Sequence, residues 1–459
     1  MARRSSPLPD GSRITDAISV GVLTKTYPLE KVKGAVAACK KSSIRERALP
    51  AHVTLYYVLA MTLWMGQSSR EVLRCLLEGI HWLLQGAAGW AVASKGGISR
   101  ARKRLGWEPL ERLHAELVQP IAQPQTRGAW YRHWRLVSLD GTTLSVAETP
   151  ENVASWGRAR CQRGEAGYPS LRLVGLVENG THVLFASQLG SYHDGEITLA
   201  QKVVAGLRPG MLCLADREFL GYKLWKLATG TGADLLWRAK KFPRLECVQR
   251  LADGSYLSYL YASPSDRKHH REGILVRVVE YRLEGIADSE PWYRLVTTIL
   301  DPEQAPAAEL AAIYHERWEI ETTLDEIKTH LRGARMVLRS KTPDLVRQEL
   351  YGFLLTHFAV RGLMHEAALL VGEDPDRLSF VHAVRVIRRK VGTFVISPQR
   401  RKSGAPPAGV EGNLRGTGGE QSGPQRSPRG QAEDHEISGS PAWAAPGNPN
   451  RPCRLYSNP

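Results

Sequence analysis

The chain has 459 residues, of which 42% are apolar, so it can form two or three domains with ordinary hydrophobic cores. Its net charge is +16 and its pI is near 9.7, and such an excess of Lys and Arg favours a polyanionic partner, most often nucleic acid. The alternative is a soluble protein that is basic without such a partner. Six scattered cysteines without CxxC pairs argue against a disulfide framework and a zinc site, and fit a reducing compartment.

Targeting and membrane signals are weak in this sequence. The N-terminal segment MARRSSPLPDGSR is basic, but the apolar stretch of a signal peptide does not follow it. The apolar run VTLYYVLAMTLWM is shorter than the roughly 20 residues that span a bilayer, so it predicts a buried core helix. We therefore expect a cytoplasmic protein without a membrane partner.

Helical patterns dominate residues 16–128, after a predicted flexible N-terminus at residues 1–15. Pro50 stands near the start of one helix, and Ser68 or Ser69 can cap the next one. The segment predicts a helical N-terminal domain.

A glycine turn precedes a strongly basic helix in this segment. Gly96 and Gly97 predict the turn, and Ser99 can cap the helix that follows. A short helix, a turn and a basic helix are compatible with a DNA-binding helix-turn-helix, but a solvated basic helix end has the same pattern. Both interpretations stay open. The basic residues are Arg100, Arg102, Lys103 and Arg104.

The middle of the chain predicts a mixed α/β sheet. Residues 129–241 contain strand-like runs such as WRLVSLDGTTLSV and GMLCLADREF, and ENGT predicts a hairpin turn between two of the strands. Residues 242–308 predict a β-rich insertion, and residues 309–398 return to helix. Residues 399–459 are rich in Gly and Pro with few apolar side chains, so they predict a disordered tail.

Two aspartates follow apolar strands of the predicted sheet. Asp140 ends the run RLVSLD, and Asp216 ends GMLCLAD. A carboxylate at the carboxyl end of a buried strand lies at the edge where α/β proteins form their sites. An aspartate can also simply start a turn there, but two of them in one sheet favour a site.

The segment YHERWEIETTLDEIKTHL, residues 314–331, predicts a helix with charges of two kinds. At about 100° per residue, Tyr314, Arg317, Glu321 and Lys328 fall on one narrow face beside the apolar stripe. A carboxylate, two cations and a phenol along the border of the core favour a functional face. The stripe consists of Ile313, Ile320, Leu324, Ile327 and Leu331, and the glutamates expected to face solvent are Glu316, Glu319 and Glu326.

Three converging carboxylates suit divalent metal ions. Mg²⁺ prefers oxygen ligands and keeps several waters, so one or two carboxylates per ion are enough. Two ions about 4 Å apart can activate an attacking oxygen and stabilise a leaving one in phosphoryl transfer. The candidate ligands are Asp140, Asp216 and Glu321, with Asp325 on nearly the same helix face as a rival for the third position.

The spacing Tyr-x₂-Arg-x₃-Glu-x₆-Lys at Tyr314, Arg317, Glu321 and Lys328 resembles the Y-R-E-K signature of insertion element 4 family transposases. SLDGTT and LADREF are similar to the segments of that family's two catalytic aspartates, and residues 16–395 resemble the family as a whole. The resemblance implies an α/β protein whose RNase H-like core has a mixed sheet, a β-rich insertion and a helical DNA-binding domain. Its register favours the glutamate of the signature as the third carboxylate.

The resemblance implies a DNA transposase that binds the inverted ends of its element and cuts and pastes DNA. Asp140, Asp216 and Glu321 would hold two Mg²⁺ ions, for which Mn²⁺ can substitute. The partner would be double-stranded DNA, both element ends and target, and a homodimer would pair the two ends at the nucleoid. The residues expected to grip the strand beside the cut are Tyr314, Arg317 and Lys328.

Two further groups are candidate DNA contacts. The run LLWRAKKFPR sets cations after the fifth strand, which favours a phosphate track over a solvated run. Trp292 and Tyr293 in the insertion either stack on a base displaced near the cut, as an aromatic about there does in the resembled family, or are core aromatics of a strand. The cations are Arg238, Lys240, Lys241 and Arg244.

Two alternatives to an active transposase stay open. One is a metal-dependent nuclease on the same core, which cuts DNA without strand transfer. The other is an inactive or truncated transposase that acts only as a sequence-specific DNA-binding protein. The Gly- and Pro-rich tail raises this second alternative, because the resembled family usually ends in a compact basic segment.

Overall fold

The centre of the protein is an eleven-stranded mixed sheet with helices packed on both faces. The computed structural model describes residues 21–44, 49–83, 92–161, 164–240, 245–282, 292–333 and 337–389. The predicted flexible N-terminus and the predicted disordered tail lie outside these ranges.

Helices form the described N-terminal part of the chain. Pro50 is the N-cap of one of them, and the hydroxyl of Ser68 caps the next, as predicted. The predicted turn at Gly96 and Gly97 is wrong, because Ser94 caps the basic helix by accepting the N–H of Gly97 at 3.2 Å and both glycines lie in its first turn. After a helical stretch at residues 21–26 come α1 (Leu29–Ala38), α2 (Ala51–Leu63), α3 (Ser69–Leu83), α4 (Lys95–Leu105) and α5 (Glu108–Leu117).

The core strands follow in the order β5-β4-β2-β6-β7 across the sheet. β4 pairs antiparallel with both β2 and β5, whereas β6 and β7 run parallel to β2. Three antiparallel strands followed by two parallel ones are the arrangement of the predicted RNase H-like core. The elements are β1 (Trp130–Tyr131), β2 (Trp134–Ser145), α6 (Pro150–Trp156), β3 (Arg158–Cys161), β4 (Gly164–Glu178), β5 (Val183–Ser191), α7 (Glu196–Val203), β6 (Met211–Ala215), α8 (Tyr222–Thr229) and β7 (Asp234–Arg238).

The β-rich segment continues the core sheet. β11 pairs antiparallel with β7, with Val296 opposite Trp237, and β10, β9 and β8 follow outwards. The insertion therefore shares one hydrogen-bonded sheet with the core. Its elements are β8 (Gln249–Arg250), β9 (Tyr256–Leu260), α9 (Pro264–Lys268), β10 (Ile274–Tyr281) and β11 (Tyr293–Thr297).

The helical segment after the insertion departs twice from α-helical winding. An α-helix is followed by one 3₁₀ turn, a second α-helix and a π-helical turn, so the uniform 100° rotation assumed from the sequence does not hold throughout. The pieces are α10 (Ala307–Tyr314), the 3₁₀ turn His315–Arg317, α11 (Trp318–Asp325) and the π-helical turn Glu326–Leu331.

The last long helix, α12 (Pro343–Val371), is a core helix, and α13 (Phe380–Arg389) follows it. By length and composition α12 could cross a membrane, but 61% of its most apolar window is buried inside the fold. It packs against the N-terminal helices α2 and α5, and apolar residues of all three share one cluster. Its apolar character is therefore explained by packing between the N-terminal helices and the sheet.

Candidate active site

Two of the three predicted carboxylates lie side by side on neighbouring strands. In the parallel pairing of β2 with β6, Leu139 is opposite Ala215, so the next residues, Asp140 and Asp216, meet where β6 ends. β2 itself continues beyond Asp140, so the expectation that this aspartate ends its strand is wrong. The strand continues because β4 still pairs with it there.

Arg317 links Glu321 of α11 to Asp140 of the sheet. One guanidinium nitrogen, Nη2, donates to Oε1 of Glu321 at 2.8 Å, and Nη1 lies 3.4 Å from Oδ2 of Asp140. The Arg317 side chain is 16% exposed, whereas that of Glu321 is 54% exposed. A cation is therefore held between two of the predicted metal ligands.

Asp140 has an unusual electrostatic environment. The pKa of its carboxyl is raised to about 6, chiefly by burial. The Gly141 N–H and Arg317 oppose this rise, and the charges of Glu321 and Asp216 add to it. Gly141 donates to Oδ1 at 2.7 Å. Excess negative charge with only oxygen donors is the environment that a hard divalent cation relieves. The three carboxylates therefore fit a divalent metal ion.

The raised pKa of Asp140 predicts how metal-free stability depends on pH. Its folded-state pKa of about 6 lies above the ordinary 3.8, so the stability contribution is present below pH 4 and is lost as the pH rises through 6. In EDTA, the unfolding free energy of wild type should fall between about pH 5 and pH 7.5. The fall should be about 1–3 kcal/mol smaller in the Asp140→Asn variant, which lacks the titrating carboxyl. Urea unfolding at both pH values measures this. The exposed Asp325→Asn variant is the control, and equal losses in all three proteins would contradict the prediction.

Tyr314 and Lys328 both contact the strands that carry the aspartates. The Tyr314 hydroxyl donates to the carbonyl of Ala215 at 3.3 Å, and burial raises the pKa of the phenol. The Nζ of Lys328 donates to the Thr142 hydroxyl at 3.0 Å, two residues after Asp140. Both side chains therefore flank the two aspartates, although Tyr314 is only 7% exposed.

The second group of predicted DNA contacts lies at the end of β7 and in the insertion. The guanidinium of Arg238 stands 4.5 Å from the ring centre of Tyr293, and that of Arg282 stands 3.6 Å from the ring of Trp292. Lys240 forms an ion pair with an exposed glutamate, Glu218, at 2.6 Å. The remaining two predicted contacts, Lys241 and Arg244, fall outside the described residues.

The carboxylate of Asp325, the alternative third metal ligand, already has two partners on its own helical segment. The Thr329 hydroxyl donates to Oδ1 of Asp325 at 2.5 Å, and Nε2 of His330 lies 3.5 Å from Oδ2. These contacts, together with the pairing of Arg317 to Glu321, favour Glu321 as the partner of Asp140.

The prediction of a solvent face formed by the other glutamates is wrong. Glu319 is fully buried and Glu326 is 3% exposed. Glu319 accepts the N–H of Gly180 in the β4–β5 turn, and Glu326 accepts hydrogen bonds from His357 and Arg361 of α12. Their partners lie far away in the sequence, so helix periodicity alone could not reveal this burial.

Comparisons with known proteins match two family models and a curated relative to this chain. The family model "Insertion element 4 transposase N-terminal" matches residues 17–115, and "Transposase DDE domain" matches residues 134–358. The transposase InsG for insertion sequence element IS4 of Escherichia coli K12 is 29% identical over 372 residues, which cover 80% of this chain and 81% of that protein.

One solved structure also resembles the chain. The cryo-EM structure of the piggyBac transposase synaptic complex with hairpin DNA covers 81% of this chain and 79% of its own, with 11% identity and a TM-score of 0.43.

The two family models together define the class of the protein as a DDE transposase, an enzyme that catalyses DNA cleavage and transfer with divalent metal. The chain belongs to the insertion element 4 family of these enzymes.

Proposed function

We propose that the protein carries out cut-and-paste transposition of its own element, with Asp140, Asp216 and Glu321 as the catalytic metal ligands. The observation that supports this most is the meeting of the two aspartates at the end of β6, with Glu321 linked to Asp140 through Arg317. In this proposal the protein binds the inverted ends of the element, cuts a strand at each end and joins the freed 3′-OH to target DNA.

The carboxylates of this site hold two Mg²⁺ ions in the proposal, and Mn²⁺ can substitute because both prefer oxygen ligands. When bound, such ions activate the attacking oxygen and stabilise the leaving one. The Arg317 guanidinium lies between Asp140 and Glu321. Its position supports the proposal that a cation can bind between these two carboxylates. On binding DNA, Arg317 can turn from the carboxylates to a phosphate, for which its planar fork is suited.

The residues proposed to contact DNA include both cationic and aromatic side chains. Lys328 beside β2 supplies a point charge to a phosphate of the cut strand, and the buried Tyr314 hydroxyl supports the end of β6 beside it. Trp292 and Tyr293 offer ring faces to a displaced base, each already beside a guanidinium. The cations proposed to continue the phosphate track are Arg238, Lys240 and Arg244.

Pairing of two element ends requires two active sites, so the proposal includes a homodimer that assembles on the DNA. Its cytoplasmic, nucleoid-associated location follows from this substrate. The net charge of +16 supports an electrostatic binding component that weakens steeply with salt.

The decisive experiment uses DNA that carries both ends of the element encoding the protein, with Mg²⁺ or with EDTA. We expect strand cuts at the element ends in Mg²⁺ only, and joining of pre-cut 3′-OH ends to a plasmid target. Cutting without joining would mean a nuclease, and end binding without cutting would mean a DNA-binding protein alone. Either outcome overturns the proposal.

A further inference from the structure

A second cluster of titratable side chains lies behind the helix that carries Glu321. His182 of the β4–β5 turn, Glu319 of α11 and Asp376 of the turn between α12 and α13 have one ligand atom each within 4.8 Å of the others. Glu319 and Glu321 are two positions apart in α11, so they point to nearly opposite sides of the helix. The cluster is therefore distinct from the proposed active site.

The ligand atoms of this cluster converge, and the closest contact among them is the ion pair of His182 with Asp376. The Nε2 of His182 lies 2.7 Å from Oδ1 of Asp376 and 3.6 Å from Oε2 of Glu319. Nevertheless, Nε2 of His182 and Oδ1 of Asp376 make no hydrogen bond of acceptable geometry, and neither does Oε1 of Glu319. His182 is 2% exposed and Glu319 is fully buried. Buried polar atoms without partners require compensation, which a metal ion at their common centre provides.

The neighbouring cation is already committed to another carboxylate. Arg361 donates to both oxygens of Glu326, and its Nη2 also donates to Nδ1 of His182. Glu326 in turn lies 3.6 Å from Nδ1 of His182. A metal-bound histidine usually gives its second N–H to a carboxylate, so metal binding requires Nδ1 of His182 to exchange its contact with Arg361 for one with Glu326.

Solvent can reach the cluster. A cavity of about 220 Å³ is lined by His182, Asp376, Glu326 and Arg361 among other residues. It provides an entry path for an ion and room for a water ligand.

We propose that His182, Glu319 and Asp376 bind a divalent transition-metal ion, best matched by Zn²⁺, with water from the cavity in the fourth position. One imidazole and two carboxylates suit Zn²⁺ in four-coordinate geometry. The ion ties two distant turns to the helix that carries Glu321, so its role is to hold that helix in place. Sequence spacing missed this site because the three ligands come from separate parts of the chain and none is a cysteine.

The test uses the full chain with the triple substitution Asp140→Asn/Asp216→Asn/Glu321→Gln as the background protein. These substitutions remove the proposed catalytic metal ligands, so that metal bound elsewhere can be measured. We expect about one zinc per chain after gel filtration by mass spectrometry, and an unfolding midpoint that falls by roughly 3–8 °C in EDTA. Adding Asp376→Asn should remove both effects. Adding Glu373→Gln, a substitution of a partly exposed residue near the same turn, should leave both unchanged.

A Co²⁺ titration of the same background protein gives a readout that does not depend on whether the Asp376→Asn variant folds. Binding at this site should produce the strong visible absorption bands of four-coordinate cobalt, and excess Zn²⁺ should remove them. The proposal is overturned if the background protein contains no zinc and shows no cobalt bands. It is equally overturned if Asp376→Asn folds and keeps its zinc. The cluster would then be a metal-free network in which His182 is an imidazolium between Asp376 and Glu326, with Arg361 beside its ring.

Discussion

Replacing any one of Asp140, Asp216 or Glu321 with its amide is expected to lower the rate of DNA end cleavage by roughly 10³-fold or more. Each amide keeps the shape of the side chain but removes one negative charge from a proposed metal ligand. Because in the proposed site these side chains hold the metal and other residues contact most of the DNA, binding of end-containing DNA should change by less than about threefold. Single-turnover cleavage and a binding titration on the same substrate separate the two effects.

The matched control is Asp325→Asn. This carboxylate lies on the same helix, is 54% exposed like Glu321, and pairs with Thr329 and His330. Its variant should cleave at close to the wild-type rate. A full loss of cleavage in Asp325→Asn together with an active Glu321→Gln would exchange the roles of the two residues.

Breaking the buried pair of Glu326 and Arg361 should destabilise the fold by about 3–5 kcal/mol. Burial alone would raise the pKa of Glu326, but Arg361 and two histidines hold it well below its usual value, so the residue is charged. Removing Arg361 leaves that charge buried at 3% exposure without its main partner. Urea unfolding of Arg361→Met and Glu326→Met measures the cost.

Two comparisons make this prediction specific. The double variant with methionine at both positions should be less destabilised than either single variant, because no unpaired charge remains. The surface pair of Lys25 and Glu366, whose side chains are 64% and 55% exposed, should contribute less than about 1 kcal/mol when Lys25 is replaced by Ala. Similar losses for the buried and the exposed pair would contradict the prediction.

The sequence predicted the elements whose signals are local. Strand-like runs, the hairpin turn between β4 and β5, and the cap at Ser68 depend on neighbouring residues, and the structure has each of them. The proximity of Asp140 and Asp216 could also be predicted from the sequence. Each follows an apolar run, and the two strands that these runs form pair in parallel.

Features that depend on distant partners were not predictable in this way. Glu319 accepts the N–H of Gly180 and Glu326 pairs with Arg361, and both partners are remote along the chain. The continuity of the insertion with the core sheet depends on β11 finding the free edge of β7. Periodicity also assumed one helical pitch, whereas the segment that carries Glu321 has 3₁₀ and π-helical turns on either side of α11.

The packing of α12 against the first helices affects how the protein emerges from the ribosome. Helix α2 is apolar on every side, and its burial requires α12, whose residues are made nearly 300 positions later. Apolar surface of the N-terminal helices therefore stays exposed until most of the chain has been translated. The third proposed carboxylate is also translated late, so an incomplete chain that ends before Glu321 cannot cut DNA in the proposed mechanism. Completion of this core and of the cutting site thus follows the synthesis of α12.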